Sequence, residues 1–111
     1  MGRNELERIE GVMGYLQGQT PAQMKGFQGM MGAIEHDGKV SAKTKEAVAL
    51  GIAVKAQCPS CIAFHVKQAL AKGYTKEEIL EIAWVAVLMG GGPSLAYMSY
   101  VQEALEGNQD E

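Results

Sequence analysis

Apolar positions recur at three- and four-residue spacing through most of the chain, and no segment alternates with period two. That pattern predicts helices and no strands. A first helix is expected from about Asn4 to Leu16, with Gly18 stopping it. Thr20-Pro21-Ala22-Gln23 then opens a second, with Thr20 as cap, Pro21 in the first turn and Gln23 completing a capping box. Its body, Phe27 to Ile34, carries Gly26, Gly29 and Gly32 on or beside it, each costing roughly 1 kcal/mol relative to Ala. Their three-residue spacing puts them on one face, and close helix packing is the expected reason. His36-Asp37-Gly38 reads as a turn. Ser41 caps a third helix from about Ala42 to Ala56, and Pro59 starts a fourth with Cys58 at its cap and Gly73 after its end. Thr75-Lys76-Glu77-Glu78 is a capping box for a fifth helix, which ends near Gly90-Gly91-Gly92. Pro93 opens a sixth to about Glu106, and the polar tail from Gly107 to Glu111 is expected to fray.

The expected fold is therefore all-α: one domain of about six helices over residues 1–111, with no repeat and no linker. At 111 residues the chain can bury one core without disulfide staples. The third and fifth helices are apolar over most of their circumference, at Ala47 to Val54 and Ile79 to Met89. Such helices need cover on several sides, and in so small a domain part of it is expected from a subunit interface.

Hydrophobic residues make up 47% and charged residues 21%, which excludes a disordered or fibrous chain. Net charge is −3 with no basic stripe, which argues against nucleic acid and anionic membranes as partners. The start is charged rather than signal-like, Leu6 breaks a myristoylation motif, and the apolar run from Ile82 to Gly92 is too short for a bilayer. A soluble, cytoplasmic protein is expected.

The only cysteines are Cys58 and Cys61, in a Cys-Pro-Ser-Cys motif, a pairing that points to redox or metal chemistry. At about 100° per residue, Cys58, Cys61 and His65 fall within about 60° of one another. This stripe borders Ile62, Val66, Ala69 and Leu70, while Ser60 and Lys67 are expected on the solvated side. Cys58 stands where free N–H groups and the positive end of the helix dipole favour a thiolate. His65 follows Cys61 by one turn and can take its proton. Glu46 heads an apolar stripe with Ala49, Leu50 and Ala53, so it needs a polar partner. If the third and fourth helices turn back near Gln57, Glu46 and His65 differ by roughly 6–8 Å along the pair, within reach of two side chains. Glu46 is then placed to orient His65.

The spacing Glu46-x11-Cys58-x2-Cys61-x3-His65 resembles the AhpD-like alkylhydroperoxidase core of the carboxymuconolactone decarboxylase superfamily, over roughly Ala33 to Glu106. That resemblance implies an all-helical subunit forming homotrimers or homohexamers. It also implies reduction of a hydroperoxide or disulfide substrate by the cysteine pair, with an external dithiol as reductant and no bound cofactor. Carried over, Cys61 becomes the peroxide-attacking thiol and Cys58 the resolving one, with His65 and Glu46 as proton relay. AhpD proteins carry a histidine between the cysteines, where this chain has Ser60. The superfamily's lactone decarboxylases generally lack the cysteine pair, which argues against a lyase.

Plainer readings exist for each residue. The cysteines can be inert core residues. Cys58, Cys61 and His65 offer three zinc ligands where a structural site needs four, and the other histidine, His36, lies in a turn. Glu46 can pair with a neighbouring lysine. The rival function is a non-catalytic helical assembly protein whose cysteines sense redox state. Gly90-Gly91-Gly92 lacks a Walker pattern and reads as a helix break that lets the last two helices pack closely.

Overall fold

In the computed structural model the backbone is described for residues 2–109 and the side chains for 5–107. Six helices follow one another: α1 (Gly2–Gln19), α2 (Pro21–Ile34), α3 (Ala42–Lys55), α4 (Pro59–Ala71), α5 (Lys76–Gly90) and α6 (Gly92–Gln109). No strand occurs among the described residues. α3 packs against α4 and α5, and α6 against α4 and α5, with α1 laid over α4 and α6. α2 packs closely only on α1.

The core lies where α3, α4, α5 and α6 meet. Leu50 and Val54, Ile62 and Val66, Ile79, and Val101 are fully buried there. Burying each such side chain is worth about 1.5–3 kcal/mol, and the small Ala69, Ala83 and Ala104 let the helix axes approach. The expected core residues of α4 are all present, with Leu70 at the margin of the cluster.

Three caps match the sequence expectation. The Ser41 hydroxyl accepts from Thr44 N, Thr75 and Glu78 form a reciprocal capping box, and Cys58 Sγ accepts from Cys61 N at 3.2 Å. Gly73, at φ +97°, follows α4 in the left-handed conformation that suits glycine.

Other expectations are corrected. Gly18 does not stop α1, which runs on to Gln19. One glycine costs too little to end a helix whose neighbours continue it. Thr20 does not cap α2: its hydroxyl turns back and donates to Leu16 O, so it forms no capping box with Gln23. The face of Gly26, Gly29 and Gly32 is not a close-packed one, because an added Cβ at each would meet nothing within 4 Å. α6 continues through Gly107 to Gln109, and the last two tail residues lie outside the described residues. Ser60 is half-buried against α1, where its Oγ donates to Glu5 Oε2 at 3.4 Å, whereas Lys67 is exposed as expected and its Nζ donates to Glu10 Oε2 at 3.1 Å on the surface.

Glycine earns its place at the α5–α6 junction. A Cβ on Gly90 would run into the side chain of Ser94 and lie 2.7 Å from Lys55 Cδ. Gly91 has φ +69°, and Ser94 is buried against the corner. This is the close approach of the last two helices that the three glycines foretell.

Candidate active site

The turn between α3 and α4 sets the site. Gln57, at φ +58°, is the described non-glycine residue in the left-handed region. Its N–H donates to Val54 O while Cys58 N–H reaches Ala53 O. The chain thereby reverses in three residues and presents Cys58 at the first turn of α4. Pro59 follows it in a position that needs no hydrogen-bond donor.

Cys58 and Cys61 are joined as a disulfide, with their Cα atoms 5.2 Å apart. Cys61 is half-buried against the core cluster. One turn on, His65 Nδ1 lies 2.6 Å from Glu46 Oε2. The Glu46 side chain is 2% exposed and that of His65 21%. Glu46 thus meets a histidine, not a lysine. Lys45 instead donates from Nζ to Ile34 O and His36 O at the end of α2, and Lys43 lies over the Tyr74 ring. With Nδ1 donating to the carboxylate, the neutral ring keeps Nε2 free as an acceptor. The Phe64 ring meets the imidazole edge to face, with centroids 5.2 Å apart, and limits its rotation.

Cys61 and His65 open on one cavity of about 230 Å³. α4 supplies Cys61, Phe64 and His65 to its wall, α1 supplies Ile9 and Met13, and α2 supplies Phe27 and Met31, with Glu35 just beyond α2. The sequence reading missed α1, α2 and Glu35. The methionines and Phe27 read as filling, and only their grouping on the faces that turn toward α4 marks them as cavity wall.

All four candidate residues are thereby brought together: Glu46 to His65, His65 beside Cys61, and Cys61 to Cys58. The described residues hold no group of three or more His, Cys, Asp or Glu arranged to bind a metal ion. His36 stands apart in its turn, with its ring Nδ1 3.0 Å from Asp37 O. No described helix is long and apolar enough to cross a membrane.

The sequence profile of the carboxymuconolactone decarboxylase family matches residues 21–103. The chain is 40% identical over 95 residues to an uncharacterized protein of Cupriavidus necator, covering 86% of this chain and 81% of that one. Its fold matches that of a carboxymuconolactone decarboxylase family protein from Legionella pneumophila with a TM-score of 0.88. Identity there is 38%, over 96% of this chain and 95% of that one. A family protein from Thermotoga maritima, for which a role in an antioxidative response has been suggested, shares the fold at TM-score 0.76. Its identity is 22%, over 95% of this chain and 93% of that one. A six-helix domain with a Glu–His pair beside a two-cysteine disulfide has an AhpD-like core. The chain belongs to the carboxymuconolactone decarboxylase family.

Proposed function

We propose that the protein is a thiol-dependent peroxidase or disulfide oxidoreductase acting through Cys58 and Cys61, with His65 and Glu46 as proton relay. The observation that carries this reading is the 2.6 Å Glu46–His65 pair set one turn from the Cys58–Cys61 disulfide, with Cys61 and His65 on one cavity. A structural disulfide needs no buried carboxylate and imidazole beside it. A thiol that must lose and return protons does.

In the proposed cycle, His65 Nε2 takes the Cys61 thiol proton and the thiolate attacks the terminal peroxide oxygen. The S–O bond forms as the O–O bond breaks, the alcohol leaves with the proton from His65, and Cys61 becomes a sulfenic acid. The Cys58 thiol then attacks that sulfur and expels water, which restores the disulfide. An external dithiol reduces it by exchange and leaves as its own disulfide. A disulfide substrate would enter at the first step: the Cys61 thiolate forms a mixed disulfide and expels one thiol, and Cys58 then attacks the Cys61 sulfur and expels the second thiol in place of water. The chain needs no cofactor for either route.

The subunits are proposed to assemble as homotrimers or homohexamers. Val48 and Ile52 of α3, with Val85, Leu88 and Met89 of α5, stand exposed around one apolar groove or at its edge. A domain of 11.9 kDa that left this face to water would be prone to associate.

The test is peroxide-dependent loss of free thiols in reduced wild type, Cys58→Ser and Cys61→Ser. Wild type should lose two thiols per peroxide and Cys58→Ser should stop at a Cys61 sulfenic acid. Cys61→Ser should react no faster than a free thiol. Equal reactivity of both single variants would overturn the assignment.

A further inference from the structure

The cavity beside Cys61 is apolar except at two places. One is His65, which the relay uses. The other is Glu35, half-buried where α2 ends. Its backbone N–H donates to Met31 O, but among the described residues its carboxylate has no hydrogen bond or ion pair. Lys45 Nζ donates to Ile34 O and His36 O at 2.8 and 3.0 Å and forms no ion pair with that carboxylate among the described residues. That same pair of bonds fixes the end of α2, and so fixes where Glu35 stands. Glu35 also lines the adjoining cavity that reaches Glu46.

We propose that Glu35 is a specificity-determining residue: its carboxylate excludes anionic reagents from Cys61, so the cavity admits uncharged hydroperoxides with an apolar body. This rests on the thiol peroxidase reading for its substrate, but the exclusion itself is a property of the cavity. A volume of about 230 Å³ is roughly eight waters of liquid, more than hydrogen peroxide fills, and Ile9, Met13 and Phe27 offer it apolar contact. A like charge on the wall of such a partly desolvated space lowers an anion's occupancy, on the order of tenfold at short range.

Two probes separate the exclusion from the peroxidase activity. The first is alkylation of reduced Cys58→Ser protein by neutral iodoacetamide and anionic iodoacetate, each rate divided by that of free cysteine. Cys61 should favour iodoacetamide about tenfold beyond free cysteine. Glu35→Gln should remove most of that preference, Glu35→Asp should keep it, and added salt should weaken it. The second compares the oxidation rates of the cysteine pair by cumene hydroperoxide and by a fatty-acid hydroperoxide. Glu35→Gln should shift their ratio toward the anion by a similar factor. A preference equal to free cysteine's, or one that Glu35→Gln leaves within twofold, overturns the proposal. If alkylation discriminates but neither hydroperoxide reacts faster than with free cysteine, the peroxidase reading fails and the exclusion stands.

Discussion

His65 and Glu46, nineteen residues apart and on different helices, meet at 2.6 Å in a position where the carboxylate is almost wholly buried. A buried carboxylate with a single polar partner is costly to leave unpaired. The pair therefore serves the fold and, on the proposed function, the reaction, and the two roles separate by mutation.

Glu46→Gln should leave the disulfide intact and slow thiol oxidation, while His65→Ala should slow it by 10²–10⁴-fold, the usual worth of a general base. The double variant should cost little more than His65→Ala, because residues acting as a unit are not additive. Stopped-flow rates with a saturating dithiol would show this. Losses that multiply would mean that Glu46 acts independently of His65. A Glu46→Gln protein with normal rates and a lowered melting temperature would make the pair structural.

The reduced protein should hold at least one cysteine as thiolate at neutral pH. Cys58 sits at the N-cap of α4, where its sulfur already accepts the Cys61 N–H, and a thiolate accepts that bond more strongly. Thiolate absorbance followed through a pH titration measures it. If both thiols ionise at or above ~8.5, the ordinary cysteine value, helix and histidine activate neither.

Light scattering should find an oligomer at micromolar concentration, not a particle of 11.9 kDa. Ile52→Glu should dissociate it, since Ile52 is 62% exposed on the apolar groove and lies outside the buried core. A wild-type monomer would leave the exposed α3–α5 face without its proposed cover.

Gly90→Ala should destabilise the fold by about 1–3 kcal/mol, the usual cost of forcing a methyl into a packed corner. Lys55 can swing its chain aside, but Ser94 is 1% exposed and has nowhere to go. Chemical denaturation checks it. Gly26→Ala in α2 is the contrast: nothing lies within 4 Å of the added methyl, so it should be neutral or stabilising.

Much of this was legible in the sequence because it is local. Ser41, Cys58 and Thr75 act within three residues of themselves, and their caps fix the starts of α3, α4 and α5. The Glu46–His65 meeting was legible because two helices joined by a three-residue turn have little freedom in register. What escaped is long-range or marginal. Thr20 stands at the junction of two helices, and its hydroxyl donates back to Leu16 O of the first rather than capping the second. Ser60 reads as solvated because its cover and its partner Glu5 come from α1, more than fifty residues away in sequence. Glu35 looked like any polar residue at a helix end until α4 stood opposite it.

The cavity has two kinds of wall. The Cys61–His65 side is anchored in the core through Ile62 and Val66, whereas the Phe27–Met31–Glu35 side belongs to α2 and the residue that caps its end, on a helix that leans on α1 and is tied to α3 through Lys45. On the proposed function, reactivity and selectivity thus rest on separate mechanical footings. Substitutions along α2 can retune what approaches the sulfur at little cost to folding, while the same freedom is denied to α4. Divergence within such a scaffold would accumulate on the compliant wall and spare the rigid one.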